Sequence, residues 1–309
     1  MHAKIPDIMI VYHKNQEIDR EQWDNCIRNS PGVKPYAYSW YLDIMSPGWE
    51  ALVDDDYDSV FPVPGISKFG IQYVQTPVFL QQLGAFSPDN PSAPALVEFL
   101  NFLPDFYRMI DLSVGQKTEI EGFKITEKAN YVLDLSKPYE KLCENFSPQC
   151  RKNIESSVKN GFELVTVIIP DELIDLFIMY KGKEIKGISG REYQRLKNLM
   201  NFCLINKKGS IIGVRGSRKK LIYGIFIVET RGNKTMLFVV NTPQSREKNI
   251  GYFAINEFIK KHASTRNILD FAGSSIPAIA SFMESFGSIN EPYYRIYRNR
   301  LLWPVRMLK

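Results

Sequence analysis

The stretch VVNTPQSREKNIGYFAINEFI, running from Val239 to Ile259, decides how this chain is read. An apolar strand that ends at Val240 enters a polar loop and then a helix expected over residues 246–263. The first N–H groups of a helix have no partner inside it, and the helix dipole is positive there. Arg246, Asn249 and Gly251 therefore surround a ready anion site, of a kind that fits a pyrophosphate. Read without its neighbours, the same turn is an ordinary exposed helix start with solvated charges.

The neighbours give it a setting. Upstream lie three strand patterns, SIIGVRG from Ser210, LIYGIFIVET from Leu221 and KTMLFVV from Lys234, with turn-rich residues between them. Downstream come strand NILDFAG, a helix in DFAGSSIPAIASFMESFG (Asp270 to Gly287) and strand YYRIYRN from Tyr293. In that helix Pro277 favours the first turn and Ser274 or Ser275 can cap it. Phe282 and Phe286 share one face, and Gly287 ends the helix. Gly273 lets the strand exit turn without a Cβ clash.

Farther upstream, Ser147-Pro148 starts a helix that Gly161 stops, strand FELVTVII follows from Phe162, and helices begin near Asp171 and Arg191. The first half alternates in the same manner. It offers strand IMIVYH from Ile8, helices from Asp19 and Tyr36, strands at WEALVDD, SVFPVPG and IQYVQTPVFLQQLG, a helix over 93–103, and strands RMIDLSV and ANYVLDL. We place the domain junction at 146/147, giving domains 1–146 and 147–309.

With 309 residues, 44% hydrophobic and 13% aromatic, the chain has material for two globular domains. No stretch reaches the roughly 20 apolar residues of a membrane span, and the start lacks a cleavable leader pattern, so a cytoplasmic protein is expected. The cysteines, Cys26, Cys143, Cys150 and Cys203, are scattered and read as reduced thiols. His2, His13 and His262 are too few and too dispersed for a His-rich metal centre, so no metal is expected, and a Ser-His-Asp hydrolase is disfavoured. The net charge of +5 suits a phosphate-bearing ligand without pointing to a nucleic-acid groove.

Other features resolve into scaffold. KGKEIKGISGRE, around Lys183, lacks the ending of a P-loop and reads as a mobile loop over a cleft. The run Asp54-Asp55-Asp56 reads as a turn between strands, and the tryptophans, Trp23, Trp40, Trp49 and Trp303, as core anchors.

Arg246-x-x-Asn249-x-Gly251 resembles the phosphate-cradling turn of GNAT acyltransferases, Arg/Gln-x-x-Gly-x-Gly/Ala, with Asn249 in place of the first glycine. Asparagine can take the left-handed backbone that such a glycine supplies. The segment Asp270 to Gly287 with YYRIYRN resembles the end of FemABX and related tandem-GNAT proteins. QCRKNIESSVKNG, with Arg151, Ile154 and Gly161 in place and Ser157 where alanine is usual, resembles a helix of the same group, as do YSWYLDIMSPGWEALV, VFPVP and TPVFLQQLGAFS in the first half.

The resemblance implies an α/β fold of two tandem GNAT-like domains, each a mixed, mostly antiparallel sheet flanked by helices, with the acyl-donor site in the second. It further implies an N-acyltransferase that carries an acyl group from acetyl-CoA or another acyl-CoA to an amine, either a small molecule or a cell-envelope precursor. Val239 and Val240 would offer backbone N–H groups to the thioester carbonyl. Arg246, Asn249, Ile250, Gly251 and Tyr252 would hold the carrier, and Arg151 a phosphate or carboxylate of ligand or acceptor, unless it only pairs on the helix surface. Asp270, at a strand's carboxyl end, reads either as the general base or as a loop carboxylate that caps the next helix. Tyr293 and Tyr294 compete as proton donor, because adjacent strand residues face opposite ways.

Two alternatives stand beside this expectation: aminoacyl-tRNA as donor in a Fem-type reaction on a cell-wall precursor, and a non-catalytic binding protein on the same scaffold. The Trp-containing segment YSWYLDIMSPGW carries no lysine of the kind that helps hold a sugar-nucleotide phosphate in Fem peptidyltransferases, and no coiled-coil arm is inserted. Both absences favour the simpler acyltransferase.

Overall fold

The computed structural model describes residues 10–68, 70–89, 93–182, 188–216 and 219–301. The loop at 183–187 and Trp303 lie outside them. The chain forms two compact units, Met1–Lys128 with Tyr293–Lys309, and Ala129–Pro292.

In the first unit, β1 (Ile10–His13), β2 (Glu50–Asp54) and β3 (Ser59–Val63) form an antiparallel sheet. Helices α1 (Arg20–Asn29) and α2 (Ser39–Met45) lie between β1 and β2 in the chain. Asp19 starts α1 by accepting from the N–H groups of Glu21 and Gln22, and the Gln22 side-chain amide, together with those backbone donors, holds its carboxyl below the usual range. Trp23 and Trp49 are fully buried, their rings 4.7 Å apart, and each indole N–H is satisfied: Trp23 donates to the Ala37 carbonyl and Trp49 to the Asp43 carboxylate. The acidic run makes the tight turn Asp55–Tyr57 between β2 and β3. A second sheet of this unit holds β4 (Gly65–Lys68), β5 (Ile71–Gln75), β6 (Tyr107–Val114) and β7 (Lys124–Lys128), with α3 (Ala93–Asn101) between β5 and β6 in the chain.

The second unit is built on one seven-stranded sheet. Its strands are β8 (Tyr131–Asp134), β9 (Leu164–Val165), β10 (Gly209–Arg215), β11 (Leu221–Thr230), β12 (Asn233–Asn241), β13 (Ile268–Asp270) and β14 (Ile289–Asn290), ordered β14-β8-β13-β12-β11-β10-β9. All neighbours are antiparallel except β12 and β13. The helices are α4 (Tyr139–Cys143), α5 (Pro148–Val158), α6 (Pro170–Tyr180), α7 (Gly190–Ile205), α8 (Pro243–Glu247), α9 (Ile250–His262) and α10 (Pro277–Glu284). Ser147 caps α5 through the Cys150 N–H with Pro148 at its first position, and Gly161 turns the chain away at φ 66°. Ile250, Phe253, Ala254, Phe258 and Ile259 of α9 share one core with Ile212, Val214, Ile225 and Ile227 of β10 and β11, and Cys150 of α5 joins it.

The last strand, β15 (Tyr293–Asn299), sits between β6 and β7 and so completes the first unit's second sheet. Three expectations change. The break placed at 146/147 falls inside the second unit, because β8 pairs with β13 and β14 and holds residues from 129 onward to that sheet. The end of the chain belongs to the first unit, because β15 finds its ladder there. The first unit also has two sheets in place of one.

Candidate active site

The second unit's parallel strands part. β12 and β13 pair only through Asn233–Ile268, Lys234–Leu269 and Thr235–Asp270. Residues 236–241 of β12 continue beside β11, with a β-bulge at Leu237 of β12, opposite Phe226 and Ile227.

Backbone alternation decides which amides face the open flank. The Thr242 N–H donates to the Ile222 carbonyl, so the opposed pair Gly224–Val240 also exchanges hydrogen bonds, while the pairs at Val239 and Asn241 point their backbone groups away from β11. Arg246 gives an independent check. Its guanidinium donates to the Asn241 carbonyl at 2.9 Å, on that flank. Of the two valines, Val239 therefore presents its N–H to the fork, whereas the Val240 N–H is spent on β11 and its side chain is 1% exposed. Val239 is 38% exposed, and among the described residues its N–H has no backbone acceptor.

The turn after β12 is tightly built. Thr242 donates through Oγ1 to the Ile222 carbonyl (2.8 Å) and accepts from the Ser245 N–H (3.2 Å), while Ser245 donates to Asn241 Oδ1. Short helix α8 follows, so the helix expected to start near Arg246 is interrupted. Asn249 stops it at φ 55°, ψ 28°, in the left-handed region, and heads α9 without a side-chain cap. Its carbonyl accepts from the Tyr252 and Phe253 N–H groups. The N–H groups of Ile250 and Gly251 open the first turn and have no acceptor among the described residues. Lys248 lies 5.8 Å from the Phe162 ring centroid, so its charge stays beside the turn.

Aromatic rings support the turn from behind. Tyr252 lies 4.7 Å from Phe282 and 5.7 Å from Phe286, and Phe286 also meets Phe146 and Phe271. Gly287 ends this segment at φ 74°, where a Cβ would fall 2.7 Å from Asn145 Cβ, so only glycine fits. Pro277 begins α10, but neither serine caps it directly: Ser274 Oγ accepts from the Ile276 N–H, one residue early.

Asp270 sits at the fork and is completely buried. Its carboxylate accepts from the Ala272 N–H at 2.8 Å, holding an exit turn in which Ala272 and Gly273 both have φ 55°. It is not the cap of α10, whose first helical residue is Pro277. Arg151 is exposed on α5 and donates to the Cys143 carbonyl at 3.1 Å. Tyr293 and Tyr294 lie on β15, in the other unit's sheet, so the fold does not gather them with Asp270 and Val239 in one unit. Tyr294 is 8% exposed, paired with Val114 and Glu127, and Tyr293 lies half-buried on the opposite face, where burial raises its pKa. Among the described residues, no group of three or more His, Cys, Asp or Glu is placed to hold a metal ion, and no helix is long and apolar enough to cross a membrane.

No protein-family model and no curated protein sequence matches the chain. Solved structures do. FemX aligns over 96% of this chain and 99% of its own, at 11% identity and TM-score 0.64. A conserved protein of unknown function from Bacteroides thetaiotaomicron VPI-5482 aligns over 94% of this chain and 99% of its own, at 10% identity and TM-score 0.60. The C-terminal domain (DUF2156) of a putative lysylphosphatidylglycerol synthetase from Agrobacterium fabrum covers 91% of each chain at 10% identity and TM-score 0.54. At such identities the likeness speaks for fold. The parted parallel strands, the left-handed turn after the first of them and these alignments across nearly the whole chain give one conclusion: it has the FemABX-like fold of tandem GNAT-type units.

Proposed function

We propose that this chain is an acyltransferase that moves an acyl group from a phosphate-bearing carrier to an amine. The observation that carries the reading is the fork between β12 and β13, which leaves the Val239 N–H facing an open flank beside the uncapped first turn of α9. A carbonyl laid along that flank would meet the Val239 N–H as charge develops on its oxygen. The carrier's phosphates would rest on the Ile250 and Gly251 amides, with Arg246 at the lip. The amine nitrogen bonds to the carbonyl carbon and gives up a proton, the bond to the carrier breaks, and the departing thiolate or alkoxide takes up a proton. Transfer by this route needs position and polarisation and no covalent enzyme intermediate.

Acyl-CoA, acetyl-CoA in its simplest form, is the donor we assign, and the acceptor is a small-molecule or cell-envelope precursor amine. Burial and the contact with Ala272 support a turn-forming role for Asp270 over proton abstraction. Arg151 remains our candidate acceptor contact, since its guanidinium is exposed beyond the Cys143 carbonyl. Free thiols at Cys26, Cys143, Cys150 and Cys203 support residence in a reducing cytoplasm.

A second reading, aminoacyl-tRNA as donor, is favoured by the similarity to FemX and to a domain whose name describes joining lysine to phosphatidylglycerol. Calorimetric titration with coenzyme A and with a charged tRNA separates the two. Coenzyme A binding at physiological salt supports the first reading; tRNA binding that falls steeply with salt, without coenzyme A binding, replaces it with the second. Binding without transfer to any amine in a panel would leave a non-catalytic binding protein.

A further inference from the structure

Tyr223 of β11 opposes Asn241 across the ladder, so it lies at the end of the sheet from which the α8–α9 turn departs. Its side chain is only 1% exposed. A methyl group built on Gly251 would meet the Tyr223 ring at 3.5 Å and its hydroxyl oxygen at 3.6 Å, with Phe282 at 3.5 Å beside it. The hydroxyl therefore stands against the second residue of α9, where the helix N–H groups are unpaired. Among the described residues it makes no hydrogen bond. Burial raises its pKa, and no hydrogen bond or neighbouring charge contributes.

Packing does not explain the hydroxyl. Phenylalanine would fill the same space, and the hydroxyl gains no hydrogen bond from the described residues around it. Packing does not explain Gly251 either, since alanine there would stand at ordinary contact distance. What glycine does is leave the Tyr223 hydroxyl uncovered beside the amides of Ile250 and Gly251.

We propose that the Tyr223 hydroxyl is a ligand-binding group of the donor site, donating a hydrogen bond to a phosphate oxygen of the acyl carrier seated on the Ile250 and Gly251 amides. The assignment rests on the transferase reading and adds to it a residue that matches no GNAT or FemABX motif in the sequence. The shared chemistry is a phosphate-bearing carrier, whether coenzyme A or the end of a charged tRNA, and both serve as probes.

The test is Tyr223→Phe in the full chain, titrated calorimetrically with coenzyme A and, separately, with an aminoacylated tRNA, alongside thermal unfolding. Loss of one charge-assisted hydrogen bond should weaken binding of whichever carrier the wild type takes by about tenfold, with Tm unchanged or raised. Gly251→Ala, whose methyl would cover the hydroxyl, should weaken it similarly without loss of fold. Wild-type affinity in Tyr223→Phe overturns the assignment and leaves the transferase reading standing. Binding of neither probe to the wild-type chain overturns both.

Discussion

Among the described residues each unit has one parallel pair of named strands, and the two pairs end differently. In the first unit β5 and β6 pair from Gln72–Tyr107 to Gln75–Asp111, and the contact then continues. The Thr76 N–H donates to the Asp111 carbonyl, Thr76 Oγ1 accepts from the Ser113 N–H at 2.7 Å, and Leu83 returns to bond Ser113 and Gly115. In the second unit the ladder stops at Thr235–Asp270, and the chain leaves β13 through the Asp270–Ala272 turn toward α10.

The local sequences make the contrast sharper. Val74-Gln-Thr-Pro77 ends β5 and Val240-Asn-Thr-Pro243 ends β12, yet Thr76 turns its hydroxyl oxygen onto the neighbouring strand, whereas Thr242 turns its own back onto β11 and forward to cap α8. One threonine seals a fork and the other braces an open one. Of the two parallel pairs, the one in the second unit parts and leaves strand amides facing the gap.

The largest effect should come from the residue that shapes the open fork. Asp270→Ala leaves the part-buried Ala272 N–H without its acceptor and should cost about 1–2 kcal/mol in denaturant unfolding, with donor binding lost in parallel. Asp270→Asn keeps an acceptor oxygen and should retain kcat within a few-fold; a loss of a hundredfold or more at unchanged stability would make Asp270 the base after all.

The two threonines come next. Thr242→Val and Thr76→Val should each cost about 1–2 kcal/mol, but only Thr242→Val should weaken donor binding. Equal loss of binding in both would mean that the first unit's pair also serves the site. Asn249→Val forces a β-branched residue into the left-handed region and should cost about 1–2 kcal/mol and donor affinity, whereas Asn249→Gly should preserve both, as read by Tm and calorimetry.

The remaining effect concerns pH. Burial, with Lys234 adding to it, lowers the His262 pKa to about 4, so the folded state holds this ring neutral where the unfolded chain, near 6.5, would protonate it. Its contribution to stability is complete above pH 6.5 and fades as pH falls toward 4. Comparing Tm at pH 7 and pH 4.5, His262→Gln should lose less on acidification than the wild type.

Much of this architecture is legible in the residues themselves. Apolar runs and their turns mark β10, β11 and β12, Ser147-Pro148 and Gly161 bound α5, and the Phe282–Phe286 pair with Gly287 reads as scaffold, because each rests on local periodicity or capping. The turn between β12 and α9 is legible as well, though its helix starts at Ile250: a polar run such as SREKN does not disclose that Asn249 breaks it with a left-handed residue.

Other features depend on partners distant in sequence. YYRIYRN announces a strand but not that β6 and β7 will receive it, and the parity that selects Val239 over Val240 exists only once β11 sets the register. FELVTVII looks like a full strand, yet only Leu164 and Val165 find a partner in β10. KITEK, with its alternating charge, gives no apolar signal for β7. Tyr223 escapes sequence reasoning because its hydroxyl gains meaning only from its distance to Gly251.

The claim that the second fork is open and the first sealed is tested most directly by amide hydrogen exchange, followed by NMR, at Val239 and Ser113 with and without the donor carrier. The Val239 N–H should exchange quickly in the free protein and become protected when the carrier binds, while the Ser113 N–H stays protected throughout. Protection of Val239 equal to that of Ser113 in the free protein would contradict the account.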